Sequence, residues 1–151
     1  AGVMDVFMEN NIEFDGGVGV SAGAAFGVNY KSKQIGRVLR YNMKYCNYWR
    51  FCSFRSLFLT GDVYGKQFCY YDIPLIHDKF DFETFKNNPM DFYVVATDVY
   101  TGKAVYHQMK TCNDEDIEWM RASGSMPAVS KPVWLGESGY LDGGIADSIP
   151  L

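Results

Sequence analysis

The chain has little histidine, and its cysteines are not spaced for metal or redox chemistry. Only two histidines occur in 151 residues, and the four cysteines have neither C-x-x-C spacing nor a nearby histidine pair. Zinc sites and redox dithiols both depend on such spacing. We therefore predict no metal centre and no redox motif. The cysteines are expected to be buried thiols, at Cys46, Cys52, Cys69 and Cys112.

An excess of basic residues and a long apolar run are also missing. There are 14 Lys and Arg residues against 18 Asp and Glu, which gives a net charge of -4 at pH 7. Whole-chain charge of this sign argues against a nucleic acid partner. No apolar stretch reaches the roughly 20 residues of a membrane span, and the first residues lack the layout of a signal peptide. A cytoplasmic location is the resulting expectation.

What the sequence does contain is typical of one globular domain over residues 1–151. Its hydrophobic content of 48%, with 17% aromatic residues, is enough for a sizeable core. Patterning predicts helices over residues 2–10, 22–30, 81–88 and from 113 or 114 onward. Strands are predicted over residues 12–20, 91–98, 104–107 and, as a single last strand, 133–141. This alternation predicts an α/β sheet covered on both faces.

The most informative pattern is Gly19-Val20-Ser21-Ala22-Gly23, which follows a predicted strand and opens a predicted helix. This is the context of a nucleophile elbow, in which the chain turns sharply and the serine oxygen protrudes. Glycines on both sides are expected to avoid Cβ clashes in the turn. We therefore predict that Ser21 is a nucleophile.

A serine nucleophile needs a base, and the candidates are two histidines and two Asp-Gly-Gly tripeptides. For His77 and His107 an ordinary structural role is the main interpretation. Asp15 is on the strand that leads to Ser21, roughly 20 Å away at about 3.3 Å per residue, which excludes it. Asp142 directly follows a predicted strand, and Gly143 and Gly144 leave its carboxylate unobstructed. Asp142 is the preferred base.

These segments resemble the patatin-like phospholipase family across nearly the whole chain. The similar segments are Phe14 to Ala24 around the serine, Ala96-Thr97-Asp98 with Thr101-Gly102, Arg121 to Pro127, and Tyr140 to Gly144 with Asp147 and Pro150. The resemblance implies a three-layer α/β/α sandwich with a central, mostly parallel sheet. It also implies a Ser21–Asp142 dyad that hydrolyses acyl-ester lipids through an acyl-serine, without a cofactor. We expect activity to fall at acid pH as Asp142 becomes protonated.

The family also has a glycine-rich oxyanion loop on a strand before its first helix, and residue 1 of this sequence lies in that helix. We therefore expect a piece of a longer enzyme, truncated at both ends, in which only the Ala22 N–H can be assigned to the oxyanion hole. A phospholipid or another acyl-ester lipid is the expected substrate. Peripheral contact with a membrane surface and oligomer formation are both compatible with the sequence.

Residues 31–71 carry no motif of the family and are predicted to form a helical cap, rich in aromatic and basic residues. No acidic residue occurs from Lys31 to Thr60. The basic side chains form either a solvated face or a patch for anionic head groups or another subunit. The aromatic cluster from Tyr41 to Phe58 is either packing or an acyl-chain pocket or lid over Ser21.

Two other functions remain open at this stage. The first is a catalytically silent domain that binds a lipid or a partner through the aromatic and basic cap, and a missing oxyanion loop in the whole protein would favour it. Alternatively, Gly17 to Gly23 is a glycine-rich turn that cradles a nucleotide phosphate at a helix N-terminus. The spacing differs from the usual dinucleotide form, and no acidic residue follows about twenty positions later to hold a ribose.

Overall fold

The computed structural model describes residues 1–150, and within them five strands form one sheet. The strands are β1 (Gly16–Val20), β2 (Asp91–Asp98), β3 (Ala104–Gln108), β4 (Val133–Leu135) and β5 (Ser138–Asp142). The α-helices are α1 (Gly2–Glu9), α2 (Ala22–Lys31), α3 (Arg37–Tyr45), α4 (Phe54–Thr60), α5 (Phe82–Asn87) and α6 (Asp114–Ser123). A π-helical segment covers Phe68–His77, and a 3₁₀ turn covers Gly143–Ile145.

Three of the helices begin at a polar side chain that caps the first turn. Ser53, Asp81 and Asn113 each accept a hydrogen bond from the backbone N–H three residues further on, at 2.8 to 3.0 Å. Such a bond satisfies one of the free N–H groups at a helix start. The helix predicted to start at residue 113 or 114 is capped by Asn113, which sets where α6 begins.

The sheet is built around β2 and is mostly antiparallel. β1 pairs with β2 in parallel, whereas β3 and β5 pair with β2, and β4 with β5, in antiparallel fashion. The predicted α/β class is confirmed, but the sheet is not the mostly parallel one that was expected. Short connections explain two of these pairs, because Gly102 (φ +67°) and Gly136 (φ +63°) allow tight turns that return the chain antiparallel between β2 and β3 and between β4 and β5.

Two strand predictions need correction. The predicted strand 12–20 begins only at Gly16, since Asn11 has a positive φ of 54° and the chain is irregular up to Asp15. The single last strand predicted over 133–141 is two strands, because the turn at Gly136 separates β4 from β5. The other predicted elements lie within a residue or two of the observed ones.

β1 and β5 meet end to end along one edge of β2. Val20, the last residue of β1, pairs with Val95, and Asp142, the last residue of β5, pairs with Ala96. β3 pairs with residues 93–97 of β2 and so must occupy the opposite edge. The carboxyl ends of two strands that are far apart in sequence therefore lie next to each other.

The main core lies between the sheet and helices α2 and α6. Phe92 and Val94 of β2 pack against Ala24 and Val28 of α2, and Ala96 packs against Ala122 of α6. Phe92, Val94 and Ala96 alternate along β2 and point to one face, so both helices cover that same face. On the other face, residue 95 of β2 contacts the 3₁₀ turn at Gly143. Helices α2 and α6 therefore form a layer on one face of the sheet, and the 3₁₀ turn lies on the other.

The segment predicted to be a helical cap contains α3, α4 and the start of the π-helical segment. Phe51, Phe68 and Ile73 form a small core of their own there, with Tyr41 and Tyr45 packed against it. The π-helical segment extends to His77 and includes Pro74, which lacks the backbone N–H of a regular α-helix. The role of this region as a cap stays a prediction.

The four cysteines differ in solvent exposure, whereas all four were expected to be buried. Cys112 is buried, Cys52 and Cys69 are partly buried, and Cys46 is exposed.

None of the helices in residues 1–150 has the length and apolar content needed to cross a bilayer. The cytoplasmic location and the absence of a metal and a cofactor stay predictions.

Candidate active site

Ser21 lies at the sharp turn between β1 and α2. Its backbone has φ 54° and ψ -120°, a conformation that non-glycine residues seldom adopt and that costs on the order of 1–3 kcal/mol. A Cβ on Gly19 would lie 2.6 Å from Ala24 Cα, so the turn requires glycine there. A Cβ on Gly23 would meet nothing within 4 Å. The clash expected on both sides of Ser21 therefore exists only at Gly19.

Asp142 ends β5 and caps the 3₁₀ turn that follows it. Its Oδ1 accepts a hydrogen bond of 2.8 Å from Gly144 N, and the residue is only 6% exposed. A Cβ on Gly143 would lie 2.2 Å from the carbonyl oxygen of Val95, so this glycine is needed for the close approach of the turn to β2. The Asp-Gly-Gly sequence thereby holds the carboxylate at the junction of β1 and β5.

The structure brings the two sequence-predicted residues into direct contact. Ser21 Oγ donates a hydrogen bond to Asp142 Oδ2 at 2.6 Å, across 121 positions of sequence. A distance at the short end of the range is typical of a hydroxyl that bonds to an ionised carboxylate. The arrangement has the geometry that proton transfer from a serine to a base requires.

The Ala22 N–H follows the nucleophile in the first turn of α2. Ala24 N and Ala25 N bond to Ser21 O, whereas the Ala22 N–H has no hydrogen-bond acceptor among residues 1–150. Free N–H groups at a helix N-terminus attract negative charge. This N–H is therefore free to donate to a bound group, and its role in an oxyanion hole stays a prediction.

A cavity of about 350 Å³ opens at Ser21 and extends beneath the predicted cap. Its lining is mostly apolar and aromatic, and it comes mainly from α2, α3, the π-helical segment and α6: Ala25, Phe26, Val28, Tyr41, Phe51, Cys69, Ile73, Phe80, Ile117 and Met120. Burial raises the pKa of both Tyr41 and Cys69 to about 12, so both side chains stay neutral at ordinary pH. The cavity suits an uncharged apolar group.

Comparison with protein-family models matches residues 1–151 to the patatin-like phospholipase model, which is the whole chain. The chain belongs to the patatin-like phospholipase family. No curated protein matches it. Membership in the family supports a general function as a lipid acyl hydrolase, with lipids as the class of substrate.

In this patatin-like domain neither histidine contacts Ser21. His107 Nε2 lies 2.7 Å from Asp116 Oδ1, and its ring stacks on Trp119 at a centroid distance of 4.9 Å. His77 packs against the rings of Tyr45 and Phe68. Both histidines therefore have the structural surroundings that the sequence favoured for them.

Three polar contacts around the patatin-like site were not predicted from the sequence. Ser21 N donates to Ser123 Oγ at 2.9 Å, Asp142 N donates to Ser125 O at 2.8 Å, and Thr97 Oγ1 donates to Asp142 O at 2.8 Å. Ser123 and Ser125 belong to a segment that resembled the family. The partners are 102, 17 and 45 positions apart in sequence, and a hydroxyl or carbonyl group carries no local sign of such a partner, so the contacts themselves could not be found from sequence.

Proposed function

We propose that the domain is a serine-dependent lipid acyl hydrolase of the phospholipase A or lysophospholipase type, which uses Ser21 and Asp142 as a dyad. The supporting observation is the 2.6 Å hydrogen bond from Ser21 Oγ to Asp142 Oδ2 at the mouth of an apolar cavity. As Ser21 Oγ attacks the ester carbonyl carbon, Asp142 accepts the hydroxyl proton. The tetrahedral oxyanion receives a hydrogen bond from the Ala22 N–H.

Two further proton transfers complete the proposed cycle. Protonated Asp142 gives its proton to the departing alkoxide, which leaves as the lysolipid or alcohol, and the acyl group stays esterified to Ser21. Asp142 then takes a proton from water, the hydroxide oxygen bonds to the acyl carbon, and the Ser21–acyl bond breaks with the proton returned to Ser21. The products are an alcohol and a fatty acid.

The cavity is proposed to hold the acyl chain. Its lining is largely hydrocarbon and aromatic, and burial keeps Tyr41 and Cys69 neutral. Arg37 is the only Lys or Arg that residues 1–150 contribute to the wall, and it is engaged elsewhere, since it donates to Asn29 Oδ1 and to the carbonyl oxygen of Asp78. An apolar chain therefore fits this space better than a charged head group does.

The outer side of the same region is proposed to contact an anionic membrane surface. The exposed fractions of Met43, Phe54 and Phe58 are 71%, 77% and 88%. Lys44 and Arg55 are exposed next to them and form no salt bridge within residues 1–150. Apolar side chains interleaved with basic ones are typical of helices that lie at a lipid interface.

The nucleotide-binding alternative is not favoured by the geometry at the helix start. The carboxylate of Asp142 lies against Ser21, at the N-terminus of α2, where a phosphate would have to bind. Two negative groups at one site repel each other, and burial of Asp142 strengthens the effect.

Labelling with a fluorophosphonate tests the proposal, because the probe reacts only with an activated serine. We expect labelling of Ser21 in the wild type and none in Ser21→Ala, together with loss of ester hydrolysis and an unchanged melting temperature. Hydrolysis that persists in Ser21→Ala would refute the proposed nucleophile. Binding to lipid vesicles without labelling or turnover would instead indicate the catalytically silent lipid-binding domain.

A further inference from the structure

The turn that ends α6 contacts both members of the proposed dyad. Ser123 is the last residue of the helix and Gly124 is its cap. The side chain of Ser123 bonds to Ser21, and the backbone of Ser125 bonds to Asp142. A single turn therefore touches two residues that are separated by 121 positions of sequence.

The contact with Ser21 is made to its backbone. Ser21 N donates to Ser123 Oγ at 2.9 Å, and Ser123 is fully buried. Residue 21 is in a rare backbone conformation, which persists only when surrounding groups hold it. The bond from Ser123 is a long-range constraint that acts on the strained residue itself.

The contact with Asp142 is made through the main chain. Asp142 N donates to Ser125 O at 2.8 Å, and Ser125 is tied back to α6 because its Oγ donates to Arg121 O at 2.8 Å and its N–H to Ala122 O. The position of Asp142 relative to α6 is thus set by backbone groups. Of the two contacts, only the one from Ser123 depends on a side chain.

We propose that Ser123 is a positioning residue that sets the distance and direction of Ser21 Oγ relative to Asp142. The inference rests on the proposed function and deepens it. Because the Ser21 N–H is engaged by Ser123, it is also unavailable to an oxyanion, and the adjacent Ala22 N–H is left as the donor from this turn. Misplacement of a reacting group by about 1 Å costs up to roughly 10²-fold in rate.

The test compares Ser123→Ala with Ser32→Ala. Both hydroxyls are buried, but Ser32 lies at the end of α2 opposite Ser21, where its Oγ bonds to Asn29 O at 3.2 Å and to Gln34 Oε1 at 3.0 Å. We expect kcat for a short-chain ester and the rate of fluorophosphonate labelling to fall about 10- to 100-fold in Ser123→Ala, with KM unchanged. In Ser32→Ala both rates should stay within about twofold of the wild type, even if the melting temperature falls equally in the two variants.

A second variant covers the case in which Ser123→Ala does not fold. Ser123→Cys keeps the size of the side chain and weakens the acceptor, so an intermediate loss of kcat is expected. A wild-type kcat in Ser123→Cys, or equal kcat losses in the two alanine variants, would overturn the positioning role.

Amide hydrogen exchange separates this inference from the proposed function. The Ser21 N–H should be protected in the wild type and in Ser32→Ala, and should exchange faster in Ser123→Ala. Equal exchange in all three would contradict the constraint. A wild type that fails to label with fluorophosphonate would overturn the proposed hydrolase, and the catalytic part of this inference with it, whatever the exchange result.

Discussion

Val95 and Ala96 are neighbours in β2, and each pairs with a different strand: Val95 with the last residue of β1 and Ala96 with Asp142 of β5. Because the chain turns into α2 directly after Val20, Ser21 is placed beside the end of β5. The contact between Ser21 and Asp142 thus follows from the register of two strands on one edge of β2.

Asp142→Asn is expected to abolish turnover while the fold is kept. An amide can still accept the bond from Gly144 N, but it cannot accept a proton from Ser21, and a general base contributes about 10²–10⁴-fold. The measurement is ester hydrolysis together with thermal unfolding. Asp15→Asn is the matched control, since Asp15 begins the other Asp-Gly-Gly tripeptide and is exposed. Equal activity in the two variants would rule out Asp142 as the base.

Substitution by alanine should change the stability of the protein differently at Gly19 and at Gly23, the two glycines that flank Ser21. In Gly19→Ala the new Cβ would lie 2.6 Å from Ala24 Cα and 2.7 Å from Ala24 N, and backbone atoms cannot move aside cheaply. We expect a loss of stability of about 1–3 kcal/mol or more. In Gly23→Ala the Cβ meets nothing within 4 Å, and alanine favours a helix by roughly 0.5–1 kcal/mol over glycine.

Urea unfolding of the two glycine variants measures the difference directly. The midpoint should fall for Gly19→Ala and should stay equal or rise for Gly23→Ala. If Gly23→Ala were the more destabilised of the pair, the steric account of the turn would be wrong.

Narrowing the cavity should select against long acyl chains. Ala25 lies one helical turn after Ser21 and lines the cavity. In Ala25→Phe the added ring would occupy part of the roughly 350 Å³ of space. We expect kcat/KM for long-chain esters to fall at least tenfold relative to short-chain esters, as determined with a series of p-nitrophenyl esters. A uniform loss across the series would indicate damage to the site, and the acyl-chain assignment would then fail.

The elements that were predicted correctly are those whose signals are local. Gly19 lies near the end of one strand, Ser21 follows that strand and precedes a helix, and Asp142 ends another strand, so these positions can be read from neighbouring residues. The contact from Ser123 to Ser21 depends on how α6 packs, and no residue near Ser123 indicates its partner. The π-helical segment was missed for a similar reason, since Pro74 normally interrupts a helix and packing in the small core overrides that tendency here.

The cysteines should differ in reactivity towards iodoacetamide. Burial raises the pKa of Cys69 and Cys112 to about 12, so these thiols stay protonated well above neutral pH, and only the thiolate reacts. Cys46 is exposed. At pH 8 we expect Cys46 to be alkylated first, with Cys69 and Cys112 modified only in urea, as followed by peptide mass spectrometry. Rapid modification of Cys112 in the folded protein would contradict its buried position.

Membrane contact should depend on α4 more than on exposed apolar residues elsewhere. Phe58 is 88% exposed, and burying its ring in a bilayer interface is worth about 1.5–3 kcal/mol, or roughly 10- to 100-fold in affinity. A nearby Arg55 adds about 1 kcal/mol on an anionic surface. Phe58→Ser should therefore weaken binding to phosphatidylglycerol vesicles by at least tenfold, and Arg55→Gln should weaken it by about fivefold at low salt only. Ile149→Ser, at a side chain that is 73% exposed outside this region, is the control in the same sedimentation assay. Equal binding by Phe58→Ser and Ile149→Ser would exclude α4 as the contact surface.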